Sequence, residues 1–227
     1  MVPFMTDVDF HFDVMCPWAY QTSKWIREAS TVRPIAVRWR FFSLEEVNRQ
    51  EGKKHPWERE WSYGWSMLRV AAFIRRQAGG NESVDRFYAV AGRMLHEDGV
   101  KVHTPEGVAH VLEEIGLDPA LVGEAVSDPS TNDDVLADHQ RVLDLGGFGV
   151  PTLVLDGITP LFGPVITPAP TGEGAGRLWD AVVAWTEFPH LYELRRPKSE
   201  ADWKHIQSSF EPYLNARDWQ TIQTPVP

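Results

Sequence analysis

The chain has 227 residues and one cysteine, Cys16. It cannot close a disulfide within itself, so any sulfur chemistry it performs is that of a single thiol. Cys16-Pro17-Trp18-Ala19 directly follows a stretch that alternates apolar and polar residues. Pro17 suits the first turn of a helix, which places Cys16 at the helix start. Unpaired backbone N–H groups and the positive end of a helix both favour a thiolate there. The expected pKa is therefore below the free value of about 8.5. A thiolate attacks disulfide sulfur and other electrophiles. A second notable segment is Gly149-Val150-Pro151-Thr152, just ahead of a strand-like run. Its loop leaves the backbone of Val150 available to pair with an extended substrate.

Elements must hold these two segments together. Val8 to Val14 has strand periodicity, and Trp18, Trp25, Ile26 and Ala29 form one face of a following helix. Ile35 to Phe42 is a second strand, completing a βαβ unit over residues 1–55. Residues 56–147 are helical in pattern. Val84, Phe87, Tyr88, Ala91, Met94 and Leu95 form a 3.6-period stripe. Thr104-Pro105-Glu106 marks a helix start and Gly116 its stop. A short helix from Asp118-Pro119 ends near Ser127. Another begins at Ser130, with Val135, Leu136, His139, Val142 and Leu143 on one face, and ends at Gly146-Gly147. In residues 148–196 strand character returns at Thr152 to Asp156. Asp156-Gly157 predicts a hairpin to Leu161-Phe162. A last helix spans about Glu173 to Thr186, with Leu178, Ala181, Val182 and Trp185 inward. The tail, 197–227, carries Trp203, Phe210, Tyr213 and Trp219, and is expected to dock on the body or on a second subunit.

Composition excludes several roles. The net charge of -10 disfavours nucleic acid and anionic membranes as main partners. No run approaches the ~20 apolar residues of a membrane span, and the first residues lack signal-peptide character. A cytoplasmic location is the expectation. The eight histidines form no metal motif, so no metal is expected. His103, His110 and His139 are expected at the surface or half-buried. Glu45-Glu46 and Asp133-Asp134 read as solvated pairs that point apart. Gly172-x-Gly174-x-Gly176 follows no Rossmann strand and is not read as a nucleotide loop. Arg195-Arg196-Pro-Lys198 reads as a solvated linker.

The element order β-α-β, helical insertion, β-β-α, together with both motifs, resembles the DsbA-like thioredoxin-fold oxidoreductases. A closer resemblance is to the mycothiol-dependent nitroreductase branch. It is carried by Asp13-x-x-Cys16-Pro17-Trp18, Thr22-Ser23-x-Trp25-Ile26 and Ser43-Leu44-x-x-x-Asn48. It continues through Pro151-Thr152, Phe162-Gly163-Pro164-Val165, Gly172-Glu173-x-Ala175-Gly176-x-Leu178-Trp179-Asp180 and Pro189-His190-x-x-Glu193-Leu194. The resemblance implies an α/β thioredoxin-like fold with an inserted all-helical domain. It implies a cytoplasmic reductase of disulfides or nitro compounds, with mycothiol or glutathione as co-substrate and no tightly bound cofactor. By position it makes Cys16 the nucleophile, Pro151 a cis-proline facing it, and Trp18 and Asn48 pocket residues. One position departs. The family motif ends in a second cysteine, whereas residue 19 is alanine, which restricts Cys16 to mixed disulfides released by a second small thiol. Two alternatives stay open: a kappa-class glutathione transferase or isomerase, which normally carries serine at the active position, and a catalytically degenerate binding protein. A homodimer is compatible with the tail aromatics.

Overall fold

A computed structural model describes residues 5–77, 79–155 and 157–217. Strand β1 (Thr6–Phe12) leads to helix α1 (Pro17–Val32) and strand β2 (Ile35–Phe41). β1 and β2 are parallel, with Phe10 beside Trp39. The expected βαβ unit is present, but β1 runs two residues earlier than the alternation predicts. Asp13 and Val14 leave the strand because the Asp13 carboxylate turns to accept from the Met15 N–H at 2.9 Å.

Helices α2 (Leu44–Val47), α3 (Tyr63–Arg75), α4 (Gly80–His96), α5 (Pro105–Glu114), α6 (Leu121–Ser127) and α7 (Ser130–Asp144) then follow. Strands β3 (Thr152–Leu155) and β4 (Thr159–Phe162) and helix α8 (Gly172–Trp185) return to the sheet layer. The sheet order is β2-β1-β3-β4, and β3 is antiparallel to both of its neighbours. Asp156, half of the predicted hairpin signal, lies outside the described residues, as does Trp219. Helix α9 (Glu200–Ala216) ends the described chain. Among the described residues no helix is long and apolar enough to cross a membrane.

Strand alternation sorts the two faces of β1. Val8, Phe10 and Phe12 enter the main core with Trp25, Trp39 and Tyr88. Asp9 and His11 point to the opposite face, toward α7. There Asp9 accepts from Arg38 and Arg40, and Asp138 accepts from the Phe41 N–H. Burial pushes the His11 pKa down to about 4.

Helix α3 is buried on nearly every side and packs on α4, α6 and α7. A helix surrounded by others needs no polar stripe, so its boundaries carry little periodic signal. Its one buried cation, Arg69, donates to Thr131 Oγ1 and to the carbonyls of Ala125, Val126 and Asp128 at the end of α6.

Three expectations change, and the one for the tail is met. His103 and His139 are buried, and only His110 is exposed; apolar neighbours from adjacent helices enclose faces that sequence cannot assign. Ala181 is exposed, and Trp179 fills the inward position beside Trp25, with ring centroids 6.3 Å apart. Glu45 and Glu46 do point apart, but neither is simply solvated. Glu45 accepts from the Trp65 N–H at 2.9 Å, and Glu46 meets His55 at 3.0 Å. The tail docks on the body, with Phe210 and Tyr213 buried.

Candidate active site around Cys16

Cys16 is the N-cap of α1, in extended conformation, with Pro17 in the first turn. Its Sγ accepts from the Ala19 N–H at 3.4 Å, filling one of the orphan donors of the helix start. Across the site the thiol donates to the Val150 carbonyl at 3.6 Å. The Val150–Pro151 peptide is cis. The Pro151 carbonyl accepts from the Gly163 N–H at 2.8 Å, and Thr152 Oγ1 donates to the Gly149 carbonyl at 2.7 Å. The loop is thus held from both sides while its Val150 carbonyl faces sulfur.

Several motif residues lie where they fix α1. Thr22 Oγ1 donates to the Pro164 carbonyl at 2.7 Å, and Trp25 Nε1 donates to the Ala175 carbonyl at 3.0 Å. Arg33 reaches Asp180 at 2.9 Å from both Nε and a terminal nitrogen. These bonds set the angle of α1 against α8, and so the position of its first turn.

Cys16 is only 6% exposed. It sits in a small apolar cluster with Ala19, Phe42, Val142, Val150 and Val154, and Trp18 and Leu44 pack against it. Trp18 is half-buried, and its ring stands edge-on to Phe210 of α9 at 4.7 Å. Tyr213, one turn further, is buried against the His96 ring at 5.0 Å. Helix α9 therefore covers the thiol end of α1.

This burial reverses the expected electrostatics. The Cys16 thiol is pushed up to about 12, chiefly by loss of water, and the nearby Asp13 carboxylate adds to the rise. The Ala19 N–H works the other way and loses. The magnitudes agree. A helix terminus is worth about 0.3–1 kcal/mol, up to ~2. Burial of a charge moves a pKa by up to about three to five, at about 1.36 kcal/mol for each pKa unit. In this covered conformation the sulfur is a neutral thiol.

Asp13 is the residue that sequence reasoning missed. It is fully buried, and it accepts from the Leu44 N–H at 2.7 Å as well as from Met15. Burial raises its pKa to about 7 against the pull of those two donors. Helix α3 comes so close that a Cβ on Gly64 would lie 3.0 Å from the Asp13 Oδ1. A side chain there would press on the carboxylate. The available signal was Asp13 itself, three residues before the cysteine in the quoted motif. His96 was missed too. Its Nε2 donates to the Val14 carbonyl at 2.8 Å, and burial lowers its pKa to about 4, so it stays neutral.

Asn48 is the C-cap residue of α2. It is exposed at the end of α2, where its side chain donates to the Leu44 carbonyl at 2.9 Å. That is a helix C-cap arrangement. It stands one turn beyond Leu44, which does pack on the Cys16 cluster. Among the described residues no group of histidine, cysteine and carboxylate side chains is placed to hold a metal ion.

The chain is 52% identical over 218 residues to the uncharacterized protein Rv2286c of Mycobacterium tuberculosis, covering 96% of this chain and 94% of the relative. Its fold is similar to a probable DsbA oxidoreductase, SCO1869, of Streptomyces coelicolor. That match has a TM-score of 0.57 at 19% identity, over 86% of this chain and 93% of the other. It is also similar to a 2-hydroxychromene-2-carboxylate isomerase, with a TM-score of 0.58 at 15% identity, over 80% and 95% of the two chains. At such identities the likeness shows the fold, a DsbA-like thioredoxin fold. The model of the Rv2466c-like family, described as mycothiol-dependent nitroreductase Rv2466c, matches residues 15–196, from the residue before Cys16 into the segment between α8 and α9. The chain belongs to the Rv2466c-like family of mycothiol-dependent nitroreductases.

Proposed function

We propose that this protein is a monothiol oxidoreductase of the cytoplasm, in which Cys16 exchanges disulfides with a small cellular thiol, mycothiol or its equivalent glutathione. One observation carries the reading: the Cys16 sulfur caps α1 and lies 3.6 Å from the Val150 carbonyl, next to the cis Pro151. An incoming disulfide would take the place of that carbonyl contact. The Cys16 thiolate attacks one sulfur, the substrate S–S bond breaks, and a mixed disulfide forms as the first thiolate leaves. One small thiol displaces the second substrate sulfur and stays on Cys16. Another releases it as the oxidised small thiol. Two small thiols thus supply two electrons, and the substrate disulfide becomes two thiols. Nitro and other electrophilic substrates would draw on the same donor.

Residue 19 is fully buried alanine, so no protein thiol competes for the mixed disulfide. The step needs a thiolate, and the covered sulfur is neutral. Substrate entry therefore goes with displacement of α9 and return of water to the sulfur. Trp18 would line the mouth of that opening, and Asn48 is retained as a rim residue.

Mass spectrometry after exposure to oxidised mycothiol and oxidised glutathione tests this. A single adduct on Cys16, reversed by the reduced thiol, is expected. Cys16→Ser should carry no adduct and no thiol-dependent turnover. Ala19→Cys should convert the adduct into an internal disulfide. Turnover retained in Cys16→Ser would overturn the reading. The same burial favours a second reading, a catalytically degenerate thioredoxin-fold binding protein. A Cys16 that never titrates below about pH 9, even with substrate bound, would establish it.

A further inference from the structure

We propose that Phe148 and Phe162 form the platform that selects the substrate of Cys16, and that it takes a flat conjugated ring bearing the disulfide or other electrophile. The proposal rests on the Cys16 reading and names the substrate class of that site. Both rings are tied to the cis-proline loop. Phe148 stands two residues before Val150, whose carbonyl lies 3.6 Å from the sulfur. Two residues of chain span at most ~7 Å. Phe162 pairs with Thr152 in the β3–β4 register, and the next residue, Gly163, donates its N–H to the Pro151 carbonyl at 2.8 Å. The two side chains meet with ring centroids 4.8 Å apart and planes inclined by 31°. Gly149 lies beneath this pair, where a Cβ would come 3.5 Å from the Phe162 ring. Helix α9 closes the site on the Trp18 side, and the aromatic pair stands on the Val150 side.

Exposure and the chemistry of the two segments identify the ligand. Phe148 is 66% exposed and Phe162 49%, with Val165 beside them in sequence at 44%. Folding buries phenylalanine in most settings, so two stacked rings left open beside a nucleophile are surface available to a ligand. Residues 146–151 read Gly-Gly-Phe-Gly-Val-Pro, and residues 161–166 read Leu-Phe-Gly-Pro-Val-Ile. Neither segment carries a polar or charged side chain. A sugar or a peptide would bring hydroxyls and amides that meet no side-chain partner here, which costs affinity. A conjugated ring needs no such partner and gains from offset or edge contact with both phenylalanines. With no charge to match, the platform selects by shape and not by sign. The electrophilic atom must sit at the sulfur while the ring lies on the platform, so the two are adjacent in the substrate.

Single-turnover reactions of the full chain with two neutral disulfides test this: dipyridyl disulfide, with an aromatic ring on each sulfur, and hydroxyethyl disulfide, with none. In each, the Cys16 thiolate attacks one sulfur, the S–S bond breaks, and the departing thiolate takes up a proton, leaving a mixed disulfide on Cys16. Phe148→Ala should raise the half-saturating concentration of the aromatic probe by about tenfold with little change in limiting rate, and Phe148→Tyr should keep the parent value. Phe162→Leu, which keeps an apolar side chain on β4, should give a smaller rise. The aliphatic probe should shift far less in each variant. Circular dichroism checks that the variants are folded. An unchanged half-saturating concentration in Phe148→Ala, or an equal shift for both probes, would overturn the proposal. So would a larger shift for a peptide disulfide than for dipyridyl disulfide, since the rings would then receive polypeptide. Cys16→Ser cannot react, yet saturation-transfer NMR should still mark the pyridine rings on it and lose that signal once Phe148→Ala is added. Transfer without any reaction in the parent is a failure of the thiol reading, and reaction without transfer is a failure of the platform.

Discussion

Helices α1 and α5 begin alike. Each opens with a cap residue in extended conformation, then proline, and each cap side chain accepts from the third backbone N–H. The distances are 3.4 Å for Cys16 to Ala19 and 3.1 Å for Thr104 to Gly107. What differs is the surroundings. Thr104 is half-exposed, so solvent can reach it. Cys16 is enclosed by an apolar cluster and by α9. The same local geometry is a plain helix cap in one place and a buried, neutral thiol in the other. A helix start favours a thiolate only while solvent shares the charge.

The largest expected effect comes from removing the sulfur. Cys16→Ser should abolish thiol-dependent turnover yet leave the thermal midpoint nearly unchanged, because serine is itself a strong cap. Substantial loss of stability would mean that the sulfur is there for packing, and the contrast with Thr104 would fail.

Removing the cover comes next. Phe210→Ala deletes the ring that meets Trp18 and admits water to the sulfur. The Cys16 pKa should fall, because burial is the main cause of its rise. Alkylation by iodoacetamide at neutral pH should speed up by about tenfold, in line with a drop of about one in pKa. An unchanged rate would show that α9 does not control access.

These two sites also show what sequence could convey. The βαβ start, the Thr104 cap, the helix at Ser130 and the Pro151 loop were legible because periodicity, proline and cap residues act over a few neighbours. Residues whose role depends on a distant segment were not. Cys16 was read as a thiolate because nothing in its own stretch reveals Phe210, nearly two hundred positions away. Asp13 looked like a strand residue because the Leu44 and Met15 N–H groups that hold it emerge only from the fold. Helix α3 hides its limits for another reason: buried on nearly every side, it shows no clear polar face. Trp179 and Ala181 differ by two positions on α8, and only the location of Trp25 decides which turns inward.

Asp13→Asn should have a smaller effect and a pH signature. Asp13 has a folded pKa of about 7 against an ordinary value of 3.8. The folded state therefore holds its proton more tightly than the unfolded chain. Its contribution to stability is fully present below pH 3.8 and is lost as pH rises through about 7. His11 and His96, lowered to about 4, work in the opposite direction between about pH 4 and 6.5. The informative quantity is thus the difference between parent and Asp13→Asn across that range. It should narrow, or change sign in favour of asparagine, as pH rises toward 7 in denaturant titrations. A constant difference would show that Asp13 ionises normally. The variant should also lower the Cys16 pKa, since the Asp13 charge raises it.

The smallest effect is expected at Thr104. Thr104→Ala removes the acceptor for the Gly107 N–H and leaves α5 otherwise intact, with Val108, Val111 and Leu112 still buried. A lost threonine cap costs typically about 1 kcal/mol. The half-exposed setting lets water take over part of the bond, which places the loss at or below that figure. In a chain of this size about 1 kcal/mol corresponds to a fall of about 2–4 °C in the midpoint. Gly107 cannot relax far to recover the bond. A Cβ there would lie 2.2 Å from the Lys101 carbonyl oxygen, so the chain already crosses the first turn of α5 closely. Calorimetry should show that fall, and iodoacetamide should react with Cys16 at the parent rate. A changed rate would mean that the start of α5 is coupled through α4 and His96 to the covered thiol, and that the two helix starts are not independent sites.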